Sequence, residues 1–256
     1  FFIQNTQIIL LSGFVVNMEI HRQNFQSPKF TSRVCPIKPS VVNTKWGKLT
    51  LEEVKPIDII QKGFFENLAA FFGKNFNSPD WQIFKDPTKK SELNMVIENF
   101  AKNLKALFKN NDGNLTLLVA RDKQKRIQGA CLSYGYDLVP NSKDYTLYID
   151  SICVNRPYRG FRLGKKMLQK ILDANSKNSS FTDVFLTGEK NACGFYKKMG
   201  FSPLSKQDKS QQKVINFIAL DRFDYPKFVD FLSKPLKPNQ ERWYNRVAEV
   251  IDDSWL

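Results

Sequence analysis

The sequence predicts an α/β (α+β) fold in which a mixed, mostly antiparallel central sheet is flanked by helices. Three observations predict it. Strand-like apolar runs follow one another through the middle of the chain, between residues 115 and 154. After them come a helical segment, a strand, a second helical segment and a further strand. A basic, glycine-punctuated turn connects the last strand of the row to the first of these helices.

The N-terminal half is predicted to hold one strand and two helices. Residues 48–54 alternate between polar and apolar side chains, as a half-buried strand does. Helical spacing follows over residues 57–72 and again over 91–108, where Ser91 is a suitable N-cap. Residues 77–90 between the helices are predicted to form an irregular loop in which substrate specificity could reside.

Spacing and turn residues define the elements of the C-terminal half. The turn at 122–126 is charged and joins two strand-like runs, and Gly200 is a natural stop for the second helix. The predicted elements are strands 115–119, 127–136 and 145–154, helix 163–174, strand 181–187, helix 191–199 and a last strand 214–220.

Composition divides the chain into three parts. Residues 1–45 are expected to form an N-terminal arm, because several prolines interrupt them. Residues 1–17 precede Met18 and carry no charge, which leaves open an over-extended reading frame or a membrane anchor. Residues 46–221 are the predicted domain. Residues 222–256 are predicted to form a C-terminal extension of two short helices that packs on the domain, with a homodimer contact as the alternative.

The residue content excludes several classes of protein. The 256 residues are 42% hydrophobic, so a disordered chain is excluded. Four widely spaced cysteines and a single histidine argue against a structural zinc site and a histidine-activated nucleophile. We therefore expect reduced thiols in a cytoplasmic protein that holds no metal.

The formal net charge of +14 allows two interpretations. Nucleic acid or another acidic partner would account for it. However, the chain has no run of five basic residues and no nucleic-acid-binding motif. A lysine-rich, solvated surface is the simpler interpretation, and a membrane partner is not expected.

The most informative segment is the basic turn after the strand at 145–154. It reads Arg159-Gly160-Phe161-Arg162-Leu163-Gly164 and leads directly into a helix. A strand that enters a helix through such a turn directs free backbone N–H groups and the positive end of the helix dipole to one place. The turn therefore predicts an anion site that suits a phosphate group.

This turn resembles the pyrophosphate loop of the GNAT superfamily of N-acetyltransferases, which usually reads Arg/Gln-x-x-Gly-x-Gly/Ala. A second segment, Asn191 to Phe201, is similar to another segment of that family, Asn-x-x-x-x-Tyr-x-x-x-Gly-Phe. The chain departs from the family pattern at Arg162, which replaces the middle glycine. Because arginine adopts a positive φ only at a cost, a helical backbone is expected at Arg162.

The resemblance implies an acyl-CoA N-acyltransferase-like fold and an acetyl-CoA-dependent N-acetyltransferase. The acetyl group would pass directly to a primary amine of a small molecule or peptide in a ternary complex. Lys166 is expected to join Lys165 near the ribose phosphate, although an exposed helix face is the simpler interpretation of both lysines. The expected cofactor-binding residues are Ile152, Cys153, Val154, Arg159, Gly160, Phe161, Arg162, Leu163, Gly164, Lys165, Asn191 and Tyr196.

Two residues are expected to be catalytic. Tyr196 matches the position whose hydroxyl protonates the departing CoA thiolate in the family, and a core aromatic is the alternative. Asp150 is the best-placed general base, with Asp144 behind it, and shares a strand face with Ile152 and Val154 unless a bulge intervenes. Asn191 either caps its helix or touches the cofactor, and the two roles are compatible.

Two alternatives to this mechanism remain open. An acyl-cysteine route through Cys153 or Cys193 is disfavoured, because no histidine lies near either residue in the sequence. A non-enzymatic protein of the same fold, acting as an acyl-CoA sensor or a basic interaction module, is the second hypothesis.

Overall fold

The computed structural model describes residues 37–76, 86, 88, 90–110, 115–136, 146–177, 181–219, 229–238 and 240–251. Eight strands form one mixed sheet in the order β1-β2-β3-β4-β5-β6-β8-β7. This confirms the predicted fold class. The strands are β1 Ser40–Thr44, β2 Gly47–Glu53, β3 Leu115–Arg121, β4 Ile127–Tyr136, β5 Thr146–Val154, β6 Asp183–Glu189, β7 Ser202–Pro203 and β8 Val229–Pro235.

Helices occur in the connections and after the last strand. Short 3₁₀ turns at Arg156–Tyr158 and Lys190–Ala192 precede two of them. The helices are α1 Pro56–Ile59, α2 Phe64–Asn75, α3 Lys90–Asn110, α4 Leu163–Ser176, α5 Cys193–Lys198, α6 Lys209–Ala219 and α7 Trp243–Val250. Among the helices so described, none is long and apolar enough to cross a membrane.

The chain divides into two compact units by its internal contacts. The first comprises the described residues up to Leu132 together with Ser151–Ile171, and the second comprises Ser133–Asp150 together with the described residues from Leu172 onwards. In the first unit, β1, β2 and β3 pair antiparallel. Helix α2 packs on α3 through aromatic rings, with Phe65 and Phe108 centroids 5.4 Å apart. This packing buries the apolar faces that the helical spacing predicts.

In the second unit, β6 lies between a parallel and an antiparallel neighbour. It pairs parallel with β5 and antiparallel with β8, which in turn pairs with β7. Helix α7 packs on this part of the sheet, where Trp243 is fully buried and its ring lies 4.8 Å from that of Phe185. The C-terminal segment therefore packs back on the sheet, as the sequence predicts.

One strand that the sequence analysis missed is β1, which lies within the predicted arm. Its five residues pair with β2, and the pair of Val42 with Leu49 buries both side chains. β1 is short and follows Pro39, so its own pattern is weak and its pairing with β2 stabilises it. The predicted irregular structure at 40–44 is wrong.

The predicted helix at 57–72 is interrupted. The chain forms α1 and α2 with a turn between them, and Gly63 precedes α2 at φ +79°. Ile60 lies in this turn and is 77% exposed. The helix predicted at 91–108 is confirmed as α3, but it begins at Lys90, so Ser91 lies inside it and does not cap it. The predicted loop at 77–90 lies mostly outside the described residues.

Two predicted elements near the C-terminus have the opposite secondary structure. Residues 214–219 of the predicted last strand belong to α6, and residues around Phe231, predicted as helical, form β8. A short apolar run does not distinguish a buried strand from a helix by periodicity alone. The deciding signal lies upstream, where the Asp208 carboxylate accepts the Gln211 N–H at 2.9 Å and caps α6.

Candidate functional site

The turn predicted to bind an anion lies between β5 and α4, in the first unit. The chain leaves β5 at Val154, makes the 3₁₀ turn at 156–158, and enters α4 at Leu163. Lys166 N–H donates to the Arg162 carbonyl at 2.9 Å and so begins the helical hydrogen bonds. In any α-helix the N–H groups before this bond have no i−4 acceptor within the helix. The turn therefore presents N–H donors at the positive end of α4.

The start of this turn is braced by side chains that the sequence analysis did not identify. Asn155 N–H donates to the Gln128 carbonyl at 2.9 Å, and its Nδ2 donates to Gln128 Oε1 at 2.7 Å. Gln128 Nε2 in turn donates to Asp122 Oδ2 at 2.8 Å. Polar residues on separate strands give no local sequence signal of this kind, because only the pairing of β3, β4 and β5 brings them together.

Arg159 folds back onto the protein. Its Nε donates to the Val154 carbonyl at 2.9 Å, and its Nη2 donates to the Asn75 carbonyl at 2.8 Å. Its backbone N–H donates to the Arg156 carbonyl at 3.2 Å, so it is not among the donors open to a ligand. The guanidinium carries five N–H groups, which allows it to hold the turn and still meet an anion. Arg159 thus ties the turn to the ends of β5 and α2.

The backbone conformation at Arg162 differs from the expectation. Its φ is +59°, in the left-handed region, whereas a helical value was expected. Gly160 has φ +87° and no heavy atom within 4 Å of an added Cβ. The turn thus keeps the geometry that suits glycine at both positions, and arginine bears a conformational cost of about 1 kcal/mol at one of them. Such strain is found where a function or the surrounding structure maintains it.

The surface around the turn is cationic. Arg156, Arg159, Arg162, Lys165 and Lys166 are all exposed within eleven consecutive residues. Positive side chains and helix N–H groups in one place favour a ligand with several negative charges. The exposure of Lys165 and Lys166 fits both a contact with the ribose phosphate and a simple solvent-exposed helix face, so that contact stays a prediction.

Strand β5 is regular up to its end. Ser151 and Cys153 are buried, whereas Asp150, Ile152 and Val154 alternate with them and are half-buried. This confirms that Asp150, Ile152 and Val154 share one face of the strand. The Tyr134 hydroxyl, in the second unit with Asp150, donates to Asp150 Oδ1 at 3.3 Å. Asp144 lies outside the described residues.

Tyr196 lies on α5 in the second unit and is 8% exposed. Its ring centroid lies 5.1 Å from that of Phe195 and 6.0 Å from that of Phe201. Gly200, at φ +84°, follows the end of the helix and confirms the predicted stop. The phenol is therefore held rigidly against β6 and the segment that leaves α5.

Asn191 does not cap α5. It lies exposed in the 3₁₀ turn at 190–192, and α5 begins only at Cys193, after Ala192, with no side-chain cap. The extra turn moves the helix start two residues along the chain, so the predicted capping role is wrong. Contact of Asn191 with a cofactor stays a prediction.

The thiols near these residues are protonated at neutral pH. Burial raises the pKa of Cys153 well above its usual value, and Cys131 adds to the effect, although Arg159 opposes it. Burial and a hydrogen bond with Asp230 raise the pKa of Cys193 to about 11. Its Sγ donates to the Glu189 carbonyl at 3.4 Å. Neither thiol is activated as a nucleophile, because the thiolate is the reactive form.

Comparison with known families identifies the chain's relatives. Residues 78–201, just under half of the chain, match the model of the acetyltransferase (GNAT) family. Over these residues the chain is similar to the GNAT family of acetyltransferases. The matched range contains β5, the turn and α5, so it includes both segments on which the resemblance was based.

Individual relatives of this chain are distant. It is 33% identical to the uncharacterized protein YyaT of Bacillus subtilis (strain 168) over 63 residues, which are 25% of this chain and 42% of YyaT. The chain thus spans less than half the length of that relative.

Among solved structures, it is similar to PH1933 from Pyrococcus horikoshii OT3, with 18% identity, a TM-score of 0.49, and coverage of 73% of this chain and 98% of that one. The GNAT family N-acetyltransferase YhbS from Escherichia coli, in complex with CoA, has 18% identity and a TM-score of 0.47, with coverage of 81% and 87%.

Proposed function

We propose that this protein is an acetyl-CoA-dependent N-acetyltransferase that passes the acetyl group directly to a primary amine. The observation that carries the proposal is the turn between β5 and α4. It combines helix N–H donors, two left-handed residues and exposed cations in a chain of an acetyltransferase family. A pyrophosphate is the anion that such a turn suits. The acyl-CoA would enter with its diphosphate at this turn.

The residues near the turn would bind the cofactor through their backbone. The N–H groups of Gly160 to Gly164 would meet the pyrophosphate oxygens, and Arg162 would add a charge-assisted hydrogen bond. The backbone groups of Ile152, Cys153 and Val154 would bind the pantetheine arm, as the family resemblance implies. An N–H group aimed at the developing oxyanion would lower the barrier by about 3 kcal/mol.

The chemistry requires one proton to leave and another to arrive. The amine loses a proton, which Asp150 takes up directly or through water, and its lone pair attacks the thioester carbonyl carbon. The C–S bond then breaks, and the thiolate takes a proton from the Tyr196 hydroxyl. The attacking nitrogen is cationic after the addition and releases a second proton, which restores the Tyr196 phenol through water. A phenol suits this role because it is protonated at neutral pH. The half-buried position of Asp150 and its hydrogen bond from Tyr134 support its assignment as the base.

Direct transfer is favoured over an acyl-cysteine intermediate. The raised pKa of Cys153 and of Cys193 leaves each thiol protonated when an acceptor amine would react. The acceptor itself, a small molecule or a peptide, belongs to the proposal, as do a cytoplasmic location and a homodimer contact through the C-terminal segment.

One observation favours the second candidate, an acyl-CoA sensor or basic interaction module. Arg162 occupies a left-handed position that the family pattern gives to glycine. A side chain at this position narrows the approach of a phosphate to the backbone. A protein that binds acyl-CoA but acetylates no amine would have this second function.

The test is a calorimetric titration of the purified protein with acetyl-CoA. The wild type is compared with Gly160→Trp, and Gly160→Ala is the matched control because it bears the same cost of a positive φ with little bulk. We expect micromolar binding by the wild type, weakened binding by the alanine variant and loss of binding by the tryptophan variant. Failure of the wild type to bind acetyl-CoA would contradict the acetyltransferase and leave a longer acyl-CoA or a basic interaction module to be tested.

A panel of amines then separates the enzyme from the sensor. Tyr196→Phe removes only the hydroxyl, so it should bind acetyl-CoA as the wild type does. Its turnover should fall by about 100-fold, because a general acid contributes on the order of 10²–10⁴ to the rate. Turnover of no amine by a wild type that binds acetyl-CoA would favour the sensor.

A further inference from the structure

The turn between β1 and β2 holds an aromatic side chain in a fixed, exposed position. Trp46 is 60% exposed, although a large apolar ring in water is unfavourable. Its Nε1 donates to the Pro157 carbonyl at 3.0 Å, within the anion-binding turn. Its backbone N–H donates to Thr44 Oγ1 at 3.2 Å, and Thr44 Oγ1 donates to the Gly47 carbonyl at 2.7 Å. The indole is therefore fixed along one edge while much of its surface stays open.

A cation lies over the same ring. Lys45 Nζ is 4.9 Å from the centroid of Trp46 and 5.9 Å from the centroid of Phe161, which belongs to the anion-binding turn. Cation–π contacts at exposed sites are weak. Lys45 can therefore leave the rings at little cost when a stronger partner, such as a phosphate, is present.

An indole fixed along one edge, an exposed ammonium and a turn proposed to bind phosphate match the chemistry of a nucleotide. Purine bases stack on exposed aromatic rings, and the phosphates of the same molecule attract lysine. The nucleotide end of an acyl-CoA carries an adenine, a 3′-phosphate and a diphosphate in one molecule. All of the protein groups involved lie in the first unit.

We infer that Trp46 and Lys45 form a binding site for the nucleotide end of the acyl-CoA, with adenine stacked on the indole and the ammonium on a phosphate. This inference rests on the proposed function, because that function supplies the ligand. The site is built by the β1–β2 hairpin, both strands of which lie outside the residues 78–201 that match the family.

A purely structural role is the competing explanation for Trp46. In that role the indole N–H holds the turn at Pro157, and the exposed ring contributes nothing. Trp46→Phe separates the two, because it removes the hydrogen bond and keeps a ring that can stack. Trp46→Ala removes both. Val41→Ala is a matched control, since Val41 is a 58% exposed apolar residue on the same hairpin.

The experiment titrates the wild type and the three variants with three ligands. These are acetyl-CoA, S-acetylpantetheine, which lacks the nucleotide, and 3′,5′-ADP, which carries only the nucleotide end. Trp46→Ala should weaken the binding of acetyl-CoA and of 3′,5′-ADP by about tenfold, because one base stacked on an aromatic ring contributes about this factor to the affinity. Trp46→Phe should retain most of the affinity, and Val41→Ala all of it. S-acetylpantetheine should bind all four proteins equally.

Lys45 is tested by salt. Lys45→Ala should weaken the binding of 3′,5′-ADP at low ionic strength. At high ionic strength the variant should bind as the wild type does, because salt screens exposed charges. Lys48→Ala, also exposed on the hairpin, is the control and should change nothing.

The outcomes distinguish the inference from the proposed function. The inference is overturned if Trp46→Ala binds acetyl-CoA as the wild type does, or if Trp46→Phe is as weak as Trp46→Ala. Failure of the wild type to bind acetyl-CoA contradicts the proposed function, whereas binding of 3′,5′-ADP that depends on Trp46 would still support the nucleotide site. If the wild type binds neither ligand, both are overturned.

Discussion

Gly188 on β6 lies directly against the ring of Tyr196. A Cβ added at Gly188 would be 3.1 Å from Cε2 of Tyr196, 3.2 Å from its Cδ2 and 2.8 Å from Cδ1 of Leu232. Only a residue without a side chain lets the proposed general acid pack this closely on the strand. The position of the phenol thus depends on a glycine outside both sequence segments that resemble the family.

Gly188→Ala is therefore expected to displace the Tyr196 ring. The free energy of unfolding should fall by about 1–3 kcal/mol through overpacking, and turnover should fall further than binding of acetyl-CoA. The control is Gly194→Ala on α5, where an added Cβ meets nothing within 4 Å. Chemical unfolding and amine acetylation by both variants test this, and equal behaviour of the two would contradict the packing role of Gly188.

Arg162→Gly separates backbone strain from charge at the anion-binding turn. Glycine adopts the observed φ of +59° freely, so the free energy of unfolding should stay constant or rise by up to about 1 kcal/mol. Acetyl-CoA should bind less tightly at low salt, with the difference closing as salt rises. Arg162→Ala should show the same loss of affinity with lower stability. Affinity unchanged in both variants would exclude the guanidinium from the site.

We expect Asp122 to make the free energy of unfolding depend on pH in the acidic range. Burial raises the pKa of this carboxyl, but hydrogen bonds from the Arg126 backbone and side chain and from Gln128 outweigh it, so the pKa lies below 3.8. A lowered folded-state pKa stabilises the protein above the unfolded pKa. That contribution declines as the pH falls past 3.8 and is absent below the folded pKa.

Urea unfolding of the wild type and Asp122→Asn between pH 6 and pH 2 measures this linkage. The difference in free energy of unfolding should be constant above about pH 5 and should shrink at lower pH. Arg126→Gln is the control, because its 68% exposed side chain should contribute less than about 1 kcal/mol. A difference that does not change with pH would rule out a titrating Asp122.

Asp183 anchors helix α7 to β6. Its side chain is 1% exposed, Oδ1 accepts Arg242 Nε at 2.6 Å, and Oδ2 accepts the Trp243 N–H at 3.1 Å. Asp183→Asn leaves the guanidinium without its counter-charge and should reduce the free energy of unfolding by about 3 kcal/mol. Thermal unfolding measures this, and a loss no larger than that of Arg126→Gln would show that the pair is not structurally important.

Sequence reasoning succeeded where the signal is local. The turn from Val154 to Leu163 and the helix around Tyr196 were placed correctly, because strand alternation, glycine and helical spacing occur within a few residues. Sequence reasoning failed where tertiary contacts determine the secondary structure. Residues 214–219 have strand-like composition, but the Asp208 cap and packing against α7 make them helical.

The site shows the same division. The turn between β5 and α4 was readable from its own residues, whereas the residues that support it were not. Gln128, Asn75 and Trp46 reach the turn only through tertiary structure. Arg162 was expected to avoid a positive φ because arginine intrinsically disfavours it. The conformation of the turn requires a positive φ at this position, and Arg162 adopts it.

Cys193 provides the test of direct transfer. With a pKa of about 11, roughly one thiol in a thousand is ionised at pH 8, so attack on a thioester would be slow. Cys193→Ala should therefore acetylate amines at the wild-type rate, and mass spectrometry of the wild type mixed with acetyl-CoA alone should find no acetylated protein. Iodoacetamide should react with Cys193 faster as the pH rises towards 11. Acetylation of Cys193 without an amine, together with loss of turnover in the alanine variant, would replace direct transfer by an acyl-enzyme route.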